Sequence, residues 1–358
     1  MHKEVELIRL FSRIRLQEEH LSRIHKILKT QLDWGYVLKK SKQEAVACLI
    51  YHHLQKCLLE KYLPSGILEQ FRLLYYSNSV RNTLIAKEVK GLLNAFNQNK
   101  TGVILLRGIY LAEVIYQNIA LRPMADIDLL VKKDDLLNAC KLLEYIGYAR
   151  IARADDILKS GLAYSLTFRK KDPSSGIIFL VDLHWNILTS TWMMSLLSEG
   201  LDMQKVWSEA RTKQLADTPA LVLSCRYNLI HLCLHAFSHS FNRLIILTDI
   251  VESIRYYQDK LNADEIVSEA REQGVSDILS YTLYYAFRRI DSGSLREIKA
   301  LIFKNHTHSN KLLYFMQRSL NFHGLPCLIY ILMQDNIFRA IRYIIRIILL
   351  MRKILLTH

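Results

Sequence analysis

The chain is poor in the residues that punctuate or staple a fold. Five prolines and twelve glycines are spread over 358 residues. The long stretches without either fit helices better than a many-stranded sandwich. None of the six cysteines, Cys48, Cys57, Cys140, Cys225, Cys233 and Cys327, stands in CxxC spacing with another. Most fall in apolar runs, which argues against a disulfide framework or zinc knuckle and reads as small buried hydrophobes in a reducing setting. The N-terminus lacks a signal-peptide pattern, since charges continue from Lys3 through Glu19 without an uninterrupted apolar core. No charge-free apolar window reaches the roughly eighteen residues a membrane-spanning helix needs. The expected location is the cytoplasm.

What is present is apolar bulk and positive charge. Hydrophobic residues make up 51% of the chain, too many for a disordered protein and enough for a substantial core. The length suits two or three units of roughly 100–200 residues each. A formal net charge of +14 favours polyanions such as nucleotides, nucleic acid or anionic lipid, without choosing among them.

Hydrophobic periodicity divides the chain into a helical N-terminal region (1–98), a strand-containing core (99–190), a helical C-terminal domain (191–335) and a basic amphipathic tail helix (336–358). In the first region, helices are expected over 1–30, 41–63 and 67–97, with a break near Asp33-Trp34-Gly35 and another at Pro64-Ser65-Gly66. At Gly102 the texture changes. Val103-Ile104-Leu105-Leu106 reads as a buried strand feeding an Arg107-Gly108 turn and a helix over 109–119. Asp126-Ile127-Asp128-Leu129-Leu130-Val131 reads as a central strand, and a helix to Ile146 follows. Residues 163–169 and 177–183 read as a hairpin around Asp172-Pro173-Ser174-Ser175-Gly176. Beyond Trp185, helices are expected near 191–198, 219–239, 243–257, 263–271, 276–288 and 294–303, with Pro219 in an early helical position. The fold class is therefore α+β: a small mixed sheet with flanking helices in a mostly helical chain.

The chemistry gathers on the acidic strand. Asp126 and Asp128 stand two apart, which puts both side chains on one face of a strand. Carboxylates held together repel, and a cation is a natural reason for holding them so. Oxygen-rich sites suit Mg2+ or Mn2+, with phosphate oxygens completing the shell. Asp182, near the end of the returning strand, makes a third acid on the same sheet. Three such acids could hold two metals around a transferring phosphoryl group. A bare DxD also arises by chance, and acids at strand starts are commonly solvated or cap a turn.

These pieces together resemble the nucleotidyltransferase superfamily and, more narrowly, the uncharacterised nucleotidyltransferase family found in many bacteria. The matching residues are Leu105-Leu106-Arg107-Gly108, the run from Arg122-Pro123-Met124 through Asp126-Ile127-Asp128 to Val131, and the stretch from Leu143 to Gly147-Tyr148. Val181-Asp182-Leu183-His184-Trp185 and the later helices from His231 to Ile250 complete the set. The resemblance covers roughly residues 80–260. It implies Asp126 and Asp128 as metal ligands and Asp182 as the third catalytic acid, serving as base or as ligand. The superfamily usually has Gly-Ser in its phosphate turn. Here Gly108 is followed by Ile109, and Arg107 would neutralise phosphate in place of the hydroxyl.

Other residues have two readings each. Gly108 either admits a close backbone approach to phosphate or makes an ordinary turn. Arg122 contacts phosphate or pairs with an acid. His184 shares the face of Asp182, so it either meets substrate or metal or makes a structural hydrogen bond beside Trp185. His231, His235 and His239 recur every fourth residue on one helix face. They lack the Glu of an HExxH zinc site, so His235 is expected near an acceptor or in a structural hydrogen bond, with Asp249 as a partner for one of the three. Arg339, Arg342, Arg346 and Lys353 give the tail a basic face that would dock on a membrane or a protein, or cover the chain's own core.

The reading is a metal-dependent enzyme moving an NMP from an NTP to a small-molecule, peptide or RNA acceptor. No RNA-recognition module is visible. The alternative is a catalytically inactive nucleotide-binding or scaffold protein of the same fold.

Overall fold

The computed structural model describes residues 3–151, 164–188 and 201–290. The helices expected near 191–198 and 294–303, the tail over 336–358 and Cys327 lie outside the described residues.

The lead-in is helical, with different breaks from those expected. A single helix over 1–30 is replaced by α1 (Lys3–Phe11) and α2 (Glu18–Leu28). Between them the buried Arg13 turns inward, where its guanidinium meets His20 and the Ile290 carbonyl. The break expected near Asp33 is confined to residues 29–33, and Asp33-Trp34-Gly35 itself opens a helix. The Asp33 carboxylate accepts the Tyr36 N–H at 2.9 Å and caps α3 (Trp34–Gln43). The helix expected over 41–63 is the shorter α4 (Ala47–Lys56). α5 (Ser65–Gln98) is 34 residues long, with Pro64 just before it. Asn82, Ile85, Val89, Leu92 and Phe96 form its buried stripe, at the three- and four-residue spacing of a helix seated on a sheet.

One seven-stranded mixed sheet organises the rest, in the order β3-β4-β5-β2-β1-β7-β6. β1 (Val103–Leu106) and β2 (Ile127–Val131) are buried along their whole length. Their apolar runs are what a strand covered on both faces requires. β3 is Ala149–Arg150, β4 Ser165–Lys171 and β5 Ile178–His184. The expected hairpin forms between β4 and β5, and Asp172 fixes its turn. The Asp172 carboxylate accepts the Ser175 N–H at 2.9 Å and the Ser174 hydroxyl at 2.7 Å. Gly176, at φ +71°, takes the left-handed conformation that closes the turn.

The connection after β1 is a short helix, α6 (Gly108–Tyr110), running into a π turn (Leu111–Ile115). It falls short of the expected 109–119. α7 (Leu136–Tyr145) covers the sheet after β2. α8 (Met203–Ser208) leads to the element that departs most from expectation. Residues expected to begin a helix at 219 instead form β6 (Arg211–Leu215) and β7 (Thr218–Val222). Ala216 and Asp217, both at positive φ (49° and 57°), make a two-residue hairpin turn of the kind that matches strand twist. Pro219 therefore lies in a strand. The helix begins later, at α9 (Cys225–Ser238), capped by Ser224. α10 (Leu244–Tyr256), α11 (Ala263–Glu272) and α12 (Ser276–Ile290) follow as expected. Cys48, Cys140 and Cys233 are buried, and Cys57 and Cys225 are half-buried.

Candidate active site

Strand register builds the site. β2 and β5 run parallel with Asp128 opposite Asp182 and Leu130 opposite His184. Side chains alternate along a strand, so Asp128, Asp182 and His184 emerge on one face. One ligand atom from each lies within 4.8 Å of the others. Asp126 falls one residue before β2 begins, half-buried and outside that group of three.

β1 brings in the counter-charge. Leu106 pairs with Asp128 across the antiparallel β1–β2 ladder, so Arg107 follows directly beside the acid. Its guanidinium bonds the Asp128 carboxylate and His235 of α9. Its Nη1 lies 2.7 Å from His235 Nε2. Arg107 stands at φ +39°, a conformation that costs a non-glycine residue of order 1 kcal/mol. The strained residue is thus one that sets the charge of the cluster.

His184 Nε2 lies 3.0 Å from the same Asp128 oxygen. Burial alone would raise the Asp128 carboxyl. Arg107 and His184 outweigh burial and hold it well below the usual carboxylate range. The neighbouring acids go the other way. Asp126 is pushed up to about 6 by burial and by the charge of Asp128. Asp182 is raised by the same two causes, against a hydrogen bond from Thr167 that lowers it. Thr167 sits opposite Asp182 on β4.

The histidines of α9 are neutral at physiological pH. Burial, and after it the charge of Arg107, drives His231 down to about 3 and His235 well below the ordinary imidazole value. His231 Nδ1 is 2.7 Å from the Ile187 carbonyl. The His239 ring lies tilted against His235, with ring centroids 4.4 Å apart. None of the three pairs with Asp249, contrary to expectation. Asp249 takes Arg122 instead, Nε to Oδ1 at 2.9 Å and Nη2 to Oδ2 at 2.8 Å, and the Tyr116 hydroxyl at 2.7 Å. Arg122 is thus held in an acid pair. Gly108 opens α6 at φ +21°, and a Cβ there would meet Met124 and the Asp126 carbonyl only at ordinary contact distance.

The donor set fits a divalent cation. Two carboxylates and an imidazole converge, and Asp182 Oδ1 and His184 Nδ1 are buried without a hydrogen-bond partner. Buried polar atoms in that condition are uncommon in folded proteins. If His184 donates Nε2–H to Asp128, Nδ1 keeps its lone pair for a ligand.

Sequence reasoning missed the residues that aim the acids. Three polar side chains of α5 grip the connector before β2. Asn78 donates to the Ala120 carbonyl at 2.7 Å. Asn82 donates to Ile119 and Arg122 at 2.5 and 2.8 Å, and Arg81 to Met124 at 3.2 Å. The available signal was an asparagine inside an apolar helical stripe, where a buried amide needs partners.

Paired acids at one level of neighbouring parallel strands, with a strand-to-helix turn carrying an arginine beside them, define a nucleotidyltransferase-superfamily sheet. The chain belongs to the family described as Uncharacterised nucleotidyltransferase, whose profile matches residues 30–291. No curated protein and no solved structure matches it. No helix among the described residues is long and apolar enough to cross a membrane.

Proposed function

We propose that the chain is a metal-dependent nucleotidyltransferase that moves an NMP from an NTP to an acceptor hydroxyl, phosphate or amine. The observation that carries the reading is the register of Asp128 against Asp182, with His184 two residues on. An acceptor oxygen or nitrogen attacks the α-phosphorus, passing any proton it carries to Asp182 or to water, the bond to the bridging oxygen breaks, and pyrophosphate leaves. A divalent cation, Mg2+ or Mn2+, held by Asp128, Asp182 and His184 would supply Lewis-acid charge to the transferring phosphoryl group. Arg107 places a fixed positive charge beside the acids, where the phosphates would lie. The Gly108 turn gives the phosphates an approach to backbone. Asp126, which feels the charges of Asp128 and Asp182, would join the set once a cation offsets their repulsion. His235 orients Arg107, and the Arg122–Asp249 pair fixes the connector that delivers Asp126 and Asp128. In this reading residues 99–190 carry the chemistry, and flanking helices shape the approach of a small-molecule, peptide or RNA acceptor.

One observation favours a second reading, a nucleotide-binding or scaffold protein without turnover. Arg107 already engages Asp128 and so supplies the positive charge a cation would otherwise bring. The test is transfer of label from α-labelled NTPs into any product of a cell extract with Mg2+ or Mn2+, comparing wild type with Asp128→Asn. Label incorporated by wild type alone supports transfer. A folded protein that incorporates none with any NTP supports the second reading.

A further inference from the structure

A second recess lies away from the acids. A cavity of about 950 Å3 opens between the turn after α1, helix α4, the stretch following the π turn and the end of α10. Small-molecule pockets span about 300–1,000 Å3. None of Arg107, Asp126, Asp128, Asp182, His184 or His235 lines it.

Its lining mixes apolar and polar side chains and is unevenly charged. Arg15, Lys56 and Arg255 reach it from three parts of the chain, against one acid, Glu252. Glu252 is already engaged, by Arg255 at 2.7 Å and by the Ile14 N–H at 3.3 Å. Arg15 and Lys56 are exposed and have no carboxylate partner among the described residues, so the unbalanced charge of the wall is positive. Gln117 and Gln258 add exposed carboxamides, each able to donate and accept, and Tyr256 adds a hydroxyl. The wall also holds unusual backbone. The π turn ends at Ile115, and Gln117 sits at φ +54°. Such features concentrate at functional sites.

We propose that this cavity binds a small phosphorylated polyol of the sugar-phosphate class. Arg15 and Lys56 take the phosphate, while Gln117, Gln258 and Tyr256 bond the hydroxyls. Charge selects the anion, and groups that both donate and accept select hydroxyls over a plain apolar body. The site is linked to the acids through Tyr116. That residue lines the cavity and donates its hydroxyl to Asp249, the carboxylate that holds Arg122.

Calorimetric titration of the whole chain tests this, with glucose 6-phosphate, inorganic phosphate and glucose as probes. No nucleotide or metal is needed, so the outcome is separate from that of the transfer assay. Glucose 6-phosphate should bind saturably to wild type and to Asp128→Asn. The Arg15→Ala/Lys56→Ala double variant, altered only at exposed positions and checked by its unfolding midpoint, should bind about ten-fold or more weakly. Inorganic phosphate should bind less tightly than glucose 6-phosphate, and glucose least. Absence of saturable binding, equal affinity in the double variant, or loss in Asp128→Asn instead would overturn the proposal. Inorganic phosphate binding as tightly as glucose 6-phosphate would overturn its polyol half.

Discussion

Two buried arginine–aspartate pairs, Arg107–Asp128 and Arg122–Asp249, flank the strand that carries the acids, and they are finished differently. In the second, both carboxylate oxygens meet the guanidinium fork and a tyrosine hydroxyl completes the set. In the first, a single Asp128 oxygen serves both Arg107 and His184. Arg107 Nε, His184 Nδ1 and Asp182 Oδ1 are left without partners, and two more acids press their charge on the cluster. A satisfied pair braces the fold. An under-satisfied one, with strained backbone beside it, is built for something it has yet to meet.

The comparison can be broken first on stability. Asp249→Asn strips the buried Arg122 of its salt-bridge partner and should cost about 3–5 kcal/mol in urea unfolding. Asp128→Asn should cost clearly less, since removing that charge also relieves its repulsion with Asp126 and Asp182. Equal costs would mean that both pairs are braces. A cation gives the next largest effect. Mn2+ at about a hundred times its dissociation constant should add about 2.7 kcal/mol to wild type. Loss of that gain in Asp182→Asn and His184→Ala, against only a partial loss in Asp249→Asn, would place the cation at the unfinished pair.

Acid sharpens the contrast further. His231, beside the site, has its pKa depressed to about 3 by burial and by Arg107, against about 6.5 in the unfolded chain. A depressed value gives stability that is fully present above pH 6.5 and lost as pH falls toward 3. At pH 5 the loss should be about 2 kcal/mol, and His231→Gln should flatten that limb of the stability curve. The smallest effect belongs to the grip of α5. Arg81→Ala should cost about 1 kcal/mol or less while weakening Mn2+ binding, because the Met124 and Ala125 carbonyls lose their donor. Unchanged metal affinity would detach the connector from the site.

The acids were legible because a carboxylate inside a run such as Ile127-Asp128-Leu129-Leu130 contradicts its surroundings, and the sheet because β1 and β2 are uninterrupted apolar runs. Register was not legible, so the closeness of His184 to Asp128 came only with the structure. Arg122 and Asp249 meet across more than a hundred residues, a distance over which local pattern carries no information. The β6–β7 hairpin escaped because its turn is Ala216-Asp217, without the glycine or asparagine that usually marks such a bend. Pro219 after Asp217-Thr218 then read as a helix start. Asp33 closes a break and caps the next helix, and only the break was legible.

The side-by-side placement of Asp128 and Asp182 has a consequence for how this chain can change length. One residue inserted within β5 before Asp182 would turn that side chain to the other face of the sheet and separate it from Asp128. The same insertion between Asp172 and Gly176 would only lengthen a surface bend. Relatives of this chain should therefore differ in length at that bend, while the count of residues inside β2 and β5 stays fixed.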